Sequence, residues 1–400
     1  MAQDKVTIAH IVTTLELGGA QENTLYTVGH LNKDKYRVVL IHGPEGILEN
    51  INKIPPPNQE EHKIGSPFIK HKIDSLIRHI NPIKDWKAYR KLKCLFEEEN
   101  VDIVHTHSSK AGILGRWAAK FAGVPVIIHT FHGFGFHDYQ NFLVKKFFIF
   151  LEKITARITD KLIAVSEDNI KKGLSYGIGK REQYRLIHSG IQIEKFLDKN
   201  IDAQKKKKEL GLDINSHIVG MIACFKPQKA PLDFIKMAEI VSTKLEDVQF
   251  VLVGDGVLRP EIERAVNERN LKNKVILTGW RTDIPQIMHT FDVFALTSLW
   301  EGLPRVIPEA FVSSKPVVAT AVDGSKDIVR DGENGYLVSA RDMETMAQRV
   351  VFLLINKQKA QEMGKEGREL ILNSSFNIDG MVKDLEKLYR GYGSKIGERH

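Results

Sequence analysis

The segment from Phe291 to Ala310, FDVFALTSLWEGLPRVIPEA, places the strongest constraint on how this chain can fold. Its first residues form a short apolar run with β-branched and aromatic side chains, which is typical of a buried strand. The turn that follows contains Gly302 and Pro304, and apolar residues then recur at helical spacing. The segment therefore predicts a strand, a loop and a helix, and a second apolar strand, Val317–Thr320, follows soon after.

Two carboxylates flank the predicted turn, Glu301 and Glu309. Their separation corresponds to about two helical turns, so both side chains can face one cleft. The free N–H groups at the start of the helix favour a phosphate, while the carboxylates suit hydroxyl groups. A nucleotide-sugar carries both kinds of group. The alternative is a solvated helix face, on which glutamates at this spacing occur without any function.

The stretch SLWEGLPRVIPEAF, followed by PVVAT, resembles the donor-site signature of retaining glycosyltransferases of family four. The resemblance implies the α/β architecture called GT-B, in which two Rossmann-like domains face a central cleft and a C-terminal helix crosses back to the first domain. A length of 400 residues suits two such domains. We expect an acceptor-side domain over 1–195, a nucleotide-sugar-binding domain over 196–372 and the returning helix over 373–400.

The resemblance also implies roles for residues in the second half. Glu301 would hold hydroxyls of the donor sugar, Glu309 would bind both ribose hydroxyls, and Lys229 would stabilise the leaving diphosphate. Lys229 and Glu301, together with His132 beside the donor sugar, are the expected catalytic residues. The residues expected to contact the donor are Gly18, Gly19, Lys229, Gly254, Glu301, Gly302, Leu303, Arg305, Val306 and Glu309.

Cys224 departs from the family pattern. The family usually has an arginine at this place, five positions before the lysine that corresponds to Lys229, and both cations hold the diphosphate. Lys226 or Arg305 could supply the missing charge, and the sequence does not decide between them.

In the first half, Gly18 and Gly19 follow the predicted strand Val6–Val12 and resemble the family's glycine-rich loop. They do not form a GxGxxG fingerprint, so NAD is not expected. In open α/β sheets, ligands lie at the carboxyl ends of strands. That rule places His107, Ser108 and His132 at the cleft, and the resemblance gives His107, Ser108 and Lys110 a place near the acceptor.

Five histidines in this region raise the question of a metal site: His105, His107, His129, His132 and His137. Their spacing matches no standard zinc pattern, and His105 and His129 are expected to face the packed side of the sheet. We therefore expect no metal. No cofactor is expected either, because the nucleoside-diphosphate sugar is a co-substrate.

The basic charge of the chain lies mainly in its first half. Residues 1–200 carry a net charge of +7, and residues 201–400 carry +1. The chain lacks zinc-finger, RNA-binding and P-loop motifs, so nucleic acid is not an expected partner. An anionic membrane surface is the favoured partner, and a lipid-linked saccharide or an oligosaccharide is the expected acceptor.

Phe142 to Lys161 has the pattern of a basic, aromatic helix at a membrane interface, in which Phe147, Phe148 and Phe150 could insert. The alternative is a core helix with a solvated basic face. Because no run of 18 apolar residues appears, any attachment would be peripheral. Two cysteines define no disulfide framework, so we expect a cytoplasmic protein on the inner face of the membrane.

The family resemblance implies same-face attack on the sugar, with the departing phosphate taking the proton of the acceptor. Two other functions stay open: a GT-B nucleotide-sugar epimerase or phosphorylase, and a non-catalytic nucleotide-sugar-binding protein. The sequence does not identify the base and sugar of the donor, nor the acceptor. Residues 44–75, which include three consecutive prolines at 55–57, are expected to form a surface excursion without an assigned role.

Overall fold

A computed structural model of the chain describes residues 5–16, 18–44 and 68–397. The described residues form two compact units. The first comprises residues 1–190 and 378–400, and the second comprises residues 191–377. Both boundaries lie within a few residues of those expected from the sequence, 195/196 and 372/373.

The first unit is built on a parallel sheet of seven strands among the described residues, in the order β3-β2-β1-β4-β5-β6-β7. Because each strand runs parallel to its neighbour, helices connect them across the faces of the sheet. The strands are β1 (Val6–Val12), β2 (Tyr36–His42), β3 (Ile69–Lys72), β4 (Ile103–His107), β5 (Val126–Phe131), β6 (Lys161–Ala164) and β7 (Tyr184–Leu186). The helices before the chain leaves this unit are α1 (Gly19–His30), α2 (Pro82–Glu98), α3 (Ser109–Phe121), α4 (Phe142–Ala156) and α5 (Glu167–Ser175).

The second unit repeats this plan with six described strands in the order β10-β9-β8-β11-β12-β13. Its strands are β8 (His217–Ile222), β9 (Val248–Val253), β10 (Val275–Leu277), β11 (Val293–Leu296), β12 (Val317–Thr320) and β13 (Gly335–Val338). Its helices are α6 (Ile193–Phe196), α7 (Ala203–Glu209), α8 (Pro231–Lys244), α9 (Arg259–Glu268), α10 (Ile284–His289), α11 (Val306–Val312), α12 (Ser325–Ile328), α13 (Met343–Ile355) and α14 (Lys357–Leu372).

Both sheets have the doubly wound strand order of a Rossmann fold. Strand order reverses between β1 and β4 in the first unit and between β8 and β11 in the second. At such a switch point the loops after the two strands diverge to opposite faces of the sheet and leave a crevice for a ligand. The expected architecture of two Rossmann-like domains is confirmed.

The C-terminal helix returns to the first unit, as the sequence predicts. After α14 the chain forms α15 (Ile378–Arg390) and α16 (Gly393–Gly397). Met381, Leu385 and Tyr389 of α15 are buried in the same apolar core as strands β1, β2 and β4. Gly190 lies so close that a Cβ there would come within 2.4 Å of the Cα of Ile378, which fixes the packing of the helix start.

One expectation about the first half is wrong in part. The excursion predicted for residues 44–75 contains β3, which pairs in parallel with β2 at the sheet edge. The triple proline at 55–57 lies outside the described residues. In the part of the chain that the structure describes, no helix has the length and hydropathy needed to cross a bilayer.

Candidate functional site

The switch point of the second unit brings together the two loops that carry five of the ten predicted donor residues. Strands β8 and β11 are hydrogen-bonded neighbours. The loop after β8 contains Cys224 and Lys229, and the loop after β11 runs from Thr297 to Arg305. Because both loops leave the carboxyl edge of one sheet, residues about 70 positions apart in sequence become neighbours.

Lys229 and Glu301 form an ion pair across these loops. The side chain of Glu301 is 5% exposed and that of Lys229 is 18% exposed, so the pair is largely shielded from water. Ser298 donates a hydrogen bond to the same Glu301 carboxylate at 2.6 Å. Asp323 accepts a 2.8 Å hydrogen bond from the backbone N–H of Glu301. A carboxylate and an ammonium are therefore held side by side in fixed positions.

Backbone contacts hold the two loops in register. The hydroxyl of Thr297 donates to the carbonyl oxygens of Lys229 and Ala230, at 3.0 Å each. The N–H of Leu299 donates to the carbonyl of Gln228 at 2.8 Å. The Gln228 amide donates in turn to the carbonyl of Trp300 at 2.9 Å. These contacts fix the position of the loop that carries Lys229 relative to the loop that carries Glu301.

Glu309 lies in the first turn of α11, where it forms an ion pair with Arg305 at 3.6 Å. Each side chain is mostly buried. Val306 begins this helix, and Gly302 and Leu303 are buried in the loop before it. The predicted strand–loop–helix arrangement of this segment is confirmed, and its two carboxylates each hold a cation, Lys229 for Glu301 and Arg305 for Glu309.

Cys224 is half-buried and is the second residue after the end of β8. The neighbouring loop approaches very closely, because a Cβ on Gly254 would lie 1.9 Å from the carbonyl oxygen of Ala223. Gly254 also has a φ of +133°, which disfavours any side chain there. Gly254 therefore allows the close approach of the loop that carries Cys224. Of the two residues that could supply the cation missing at Cys224, Arg305 already pairs with Glu309.

The switch point of the first unit brings Thr13 and Ser108 together. Their hydroxyls are 2.8 Å apart, and Ser108 has a φ of +63°, which is uncommon for a residue with a side chain. Gly18 lies between β1 and α1 as the N-cap of the helix, and Gly19 is the first residue of α1. The ammonium of Lys110 forms an ion pair with Asp85 of α2 at 2.6 Å, so this predicted acceptor residue also ties α3 to α2.

His132 follows β5 and meets His107 at the end of β4, with 3.1 Å between His107 Nδ1 and His132 Nε2. His107 Nε2 lies 3.0 Å from Nδ1 of His10, a residue in the middle of β1. Burial lowers the pKa of His107 well below its usual value. Burial, with a smaller effect of the Lys33 charge, lowers the pKa of His10 to about 3. Both rings are therefore neutral at physiological pH.

His105 and His129 are buried on opposite faces of the sheet, so the expectation that they face packed sides is confirmed. His105 bonds the hydroxyl of Tyr389 at 2.6 Å and that of Thr130 at 2.7 Å. His129 bonds Thr106 at 2.8 Å, and its ring occupies the space above Gly112 of α3.

One histidine group in the described part of the chain is close enough to share a metal ion. His10, His105 and His107 each offer a ring nitrogen within 4.8 Å of the others. Five of their six ring nitrogens already bond a neighbouring side chain, and burial favours neutral rings over a site that would carry an unbalanced double charge. The absence of a metal stays a prediction.

Four residues that were not predicted from the sequence contact predicted site residues, two in the second unit and two in the first. Ser298 and Asp323 hold Glu301, Thr13 holds Ser108, and His10 contacts His107. His10 carried a usable signal, because a histidine inside the apolar strand VTIAHIV is buried and requires a polar partner. Asp323 follows β12, so only its position at a strand end pointed to the site.

Helix α4 presents an apolar and basic face to solvent. Leu143 is 72% exposed, Phe147 50% and Phe150 57%. Lys146, Lys153 and Arg157 are exposed at positions that continue the same stripe along the helix. Membrane insertion was expected only of phenylalanines outside the core, and Phe148 is partly buried against the core beside β5 and β6, so it does not meet that condition. Lys145 forms a 2.6 Å ion pair with Asp138 and is mostly covered.

Two family profiles match the chain. The profile described as Glycosyltransferase Family 4 matches residues 17–195, and the one described as Glycosyl transferases group 1 matches residues 202–370. The break between the matches lies close to the boundary between the two structural units.

Curated relatives match over nearly the full length. The chain is 33% identical over 388 residues to the Escherichia coli UDP-Gal:alpha-D-GlcNAc-diphosphoundecaprenol alpha-1,3-galactosyltransferase, covering 96% of this chain and 97% of that protein. It is 24% identical to the Campylobacter jejuni N,N'-diacetylbacillosaminyl-diphospho-undecaprenol alpha-1,3-N-acetylgalactosaminyltransferase, covering 86% and 92%. Among solved structures, Anabaena HepE in complex with UDP and glucose has a TM-score of 0.82 at 20% identity, covering 96% of this chain and all of that one.

Proposed function

Because the chain belongs to glycosyltransferase family four, we propose that it is a retaining hexosyl- or N-acetylhexosaminyltransferase that uses a nucleoside-diphosphate sugar and a lipid-linked saccharide acceptor. The observation that carries the proposal is the Lys229–Glu301 ion pair at the carboxyl ends of β8 and β11. The activities for which the Escherichia coli and Campylobacter jejuni relatives are named support transfer to a sugar on diphosphoundecaprenol.

The chemistry needs a cation where the leaving group develops charge. As the bond between the anomeric carbon and the diphosphate breaks, negative charge grows on the phosphate oxygens, and Lys229 stabilises it. Donors that are already in place when charge develops contribute a few kcal/mol each. Glu301 accepts hydrogen bonds from sugar hydroxyls, and Glu309 accepts them from the ribose.

Retention of configuration follows if the acceptor attacks on the face that the diphosphate leaves. The acceptor oxygen then bonds to the anomeric carbon, the bond to the diphosphate breaks, and the acceptor's proton passes to the leaving phosphate oxygen. No protein nucleophile is assigned in this route. The Glu301 and Glu309 carboxylates are already engaged with Lys229 and Arg305.

The reaction is tested by measuring nucleoside-diphosphate release from a panel of UDP- and GDP-sugars, with and without a GlcNAc-diphospho-lipid acceptor. The proposal predicts release from one donor only when the acceptor is present. Interconversion of UDP-sugars without acceptor would indicate an epimerase, and sugar-1-phosphate formation from a glycan would indicate a phosphorylase. Tight donor binding without turnover on any acceptor would indicate a binding protein.

We further propose that the exposed face of α4 attaches the protein to the anionic inner surface of the cell membrane. Leu143, Phe147 and Phe150 supply the apolar contact, and Lys146, Lys153 and Arg157 supply the charge that anionic lipids attract. The ammonium of Lys146 also lies 4.3 Å from the ring centre of the exposed Phe142, a cation–π contact that places a basic and an apolar group side by side on the helix surface.

Vesicle flotation tests the attachment. Binding to anionic vesicles should fall with rising salt, and Lys146→Glu with Lys153→Glu should weaken it roughly 10–100-fold. Phe147→Ser with Phe150→Ser should also weaken binding. The matched control is Val257→Ser with Ile355→Ser, which removes two exposed apolar side chains from the second unit. Equal flotation of all variants would exclude α4 as the attachment surface.

A further inference from the structure

Two donors converge on one oxygen of the Glu301 carboxylate. Oε1 of Glu301 accepts a hydrogen bond from the hydroxyl of Ser298 at 2.6 Å, and the same atom bonds the ammonium of Lys229. Among the residues that the structure describes, none donates a hydrogen bond to Oε2. The two oxygens therefore differ: Oε1 is held from two sides, and Oε2 can accept a hydrogen bond from a ligand.

Ser298 is the donor that cannot move away from Glu301. It is fully buried and is the second residue after the end of β11. Its backbone carbonyl accepts a hydrogen bond from the hydroxyl of Thr320, the last residue of the neighbouring strand β12. A single torsion angle, χ1, places the serine oxygen relative to this fixed backbone. The hydroxyl of Ser298 therefore stays within reach of the Glu301 carboxylate.

Lys229 can turn its ammonium to another anion without any movement of its loop. The carbonyl of Lys229 accepts a 3.0 Å hydrogen bond from the hydroxyl of Thr297, and its N–H donates to the carbonyl of Lys226 at 2.9 Å. The backbone is thus fixed, while the ammonium lies at the end of a flexible four-carbon stem. The side chain is 18% exposed, so it reaches the open edge of the site.

Transfer of the ammonium to a diphosphate changes the surroundings of Glu301. The side chain of Glu301 is 5% exposed, so water replaces only a small part of the lost contact. A shielded carboxylate without any donor is strongly disfavoured. A hydrogen bond to a charged group contributes more than one between neutral groups, and the bond from Ser298 is the one that Oε1 retains.

We propose that Ser298 is a positioning residue that keeps Glu301 in place when Lys229 turns from Glu301 to the diphosphate of the donor. This inference rests on the proposed function, in which Lys229 binds the diphosphate and Glu301 binds the sugar. Oε1 then stays bonded to Ser298, and Oε2 accepts a hydrogen bond from a sugar hydroxyl. Ser298 touches neither the diphosphate nor the sugar, and it acts through Glu301 alone.

Calorimetry with UDP or GDP, whichever the wild type binds more tightly, tests this exchange. Neither nucleotide carries a sugar, so neither supplies a hydroxyl to Glu301. Ser298→Ala should weaken binding roughly tenfold, because binding then leaves a shielded carboxylate without a donor. In the Glu301→Gln background the same substitution should change affinity less than about threefold, because no charge is left behind. Ser298→Thr keeps the hydroxyl and should bind like the wild type.

Urea unfolding of the ligand-free chain tests the shared oxygen. In the wild type, Ser298→Ala leaves Lys229 on Oε1. In the Lys229→Met background it removes the last donor, so it should raise the unfolding constant roughly tenfold more than in the wild type. The matched control is Thr290→Val, which removes a buried hydroxyl at the other end of β11, where it donates to the carbonyl of Ile287 at 2.6 Å. This control should have the same effect in both backgrounds and should leave nucleotide affinity unchanged.

Kinetics test the consequence for the reaction. Ser298→Ala should lower kcat with saturating donor roughly 10–100-fold, because the carboxylate that holds the sugar is no longer fixed. Ser298→Thr should keep most of the wild-type kcat. A purely structural role for Ser298 would lower stability without a loss that depends on the charge of Glu301.

The outcomes separate this inference from the proposed function. Equal loss of nucleotide affinity in the wild-type and Glu301→Gln backgrounds, or additive effects of Ser298→Ala and Lys229→Met on unfolding, would overturn the inference. A folded Ser298→Thr that behaves like Ser298→Ala would also overturn it. A wild type that binds neither nucleotide and releases no nucleoside diphosphate would instead contradict the proposed function, while unfolding of the ligand-free variants would still decide whether Ser298 and Lys229 share Glu301.

Discussion

Replacing Lys229 with Met separates the structural and catalytic roles of its ion pair with Glu301. Methionine keeps much of the apolar stem but removes the ammonium. Glu301, which is only 5% exposed, then retains the hydrogen bond from Ser298 and loses its counter-charge. The variant therefore leaves a shielded carboxylate without a cation at the carboxyl ends of β8 and β11.

The cost can be estimated from the burial of the two partners. Removing one partner of a fully buried pair costs about 3–5 kcal/mol. Lys229 is 18% exposed, so water can reach part of the space it leaves, and we expect about 2–3 kcal/mol for this variant. The double variant Lys229→Met with Glu301→Gln leaves no charge behind and should cost less than about 1 kcal/mol.

Urea unfolding followed by circular dichroism gives these stabilities, and acceptor-dependent release of nucleoside diphosphate gives the turnover. Both variants should lose roughly 10²–10³-fold in kcat, so the double variant regains stability without regaining activity. Lys206→Met is the matched control, because Lys206 pairs with Asp283 at 2.8 Å with similar burial but lies outside the site. It should keep wild-type turnover.

Two results would refute this reasoning. If the double variant is as unstable as Lys229→Met, the lost stability does not come from an uncompensated Glu301. If Lys229→Met keeps wild-type turnover with saturating donor, Lys229 does not stabilise the leaving group.

Three further changes test other parts of the site and the fold. Glu309→Gln should weaken donor binding by about 1.5–3 kcal/mol in calorimetry, because a charged acceptor becomes neutral; unchanged affinity with an intact fold would remove Glu309 from the donor site. Cys224→Arg should tighten nucleoside-diphosphate binding if the cation pair is incomplete, and loss of folding alone would identify Cys224 as a packing residue. Burial lowers the pKa of Lys315 to about 8, so its charge destabilises the fold below pH 8 and this penalty disappears as pH rises towards 10.5. The stability of wild type relative to Lys315→Met should accordingly rise by about 3 kcal/mol between pH 7 and pH 10.5 in urea unfolding, and a constant difference would contradict the shift.

Most of the fold could be predicted because parallel strands in α/β proteins are buried on both faces. Runs such as VTIAHIV and VVAT are almost continuously apolar, and the predicted bounds of Val6–Val12 and Val317–Thr320 agree with β1 and β12. Strand β3 was missed because IKHK is short, half-exposed at the sheet edge and mostly polar. The residue pattern of a short edge strand is a weak signal, because the strand is not buried on both faces and so need not be apolar throughout.

The loops of the site could be predicted, but their internal contacts could not. Glu301 was expected beside a ligand from its place after a strand, whereas its ion pair with Lys229 depends on the adjacency of β8 and β11. Asp323 reaches Glu301 only because β12 lies next to β11. Such pairings follow from strand order, which a single sequence does not encode locally.

The rotation of helix α4 about its own axis could not be predicted from the sequence. FLVKKFFIF contains four phenylalanines, and its pattern gives Phe147, Phe148 and Phe150 the same expected role at a membrane. A helix turns by about 100° per residue, so Phe147 and Phe148 point in different directions. The neighbouring core buries Phe148 and leaves Phe147 and Phe150 in solvent, and only the packed structure sets that rotation.

The most direct test of the donor site is a crystal structure of the chain with a bound nucleoside-diphosphate sugar. We expect the diphosphate at the carboxyl ends of β8 and β11, with Lys229 Nζ in hydrogen-bond contact with a phosphate oxygen. The Glu301 carboxylate should face the sugar hydroxyls, and the Glu309 carboxylate should face the ribose. A donor bound away from these strand ends, or one that leaves Lys229 paired with Glu301 alone, would show that this edge of the second sheet is not the donor site.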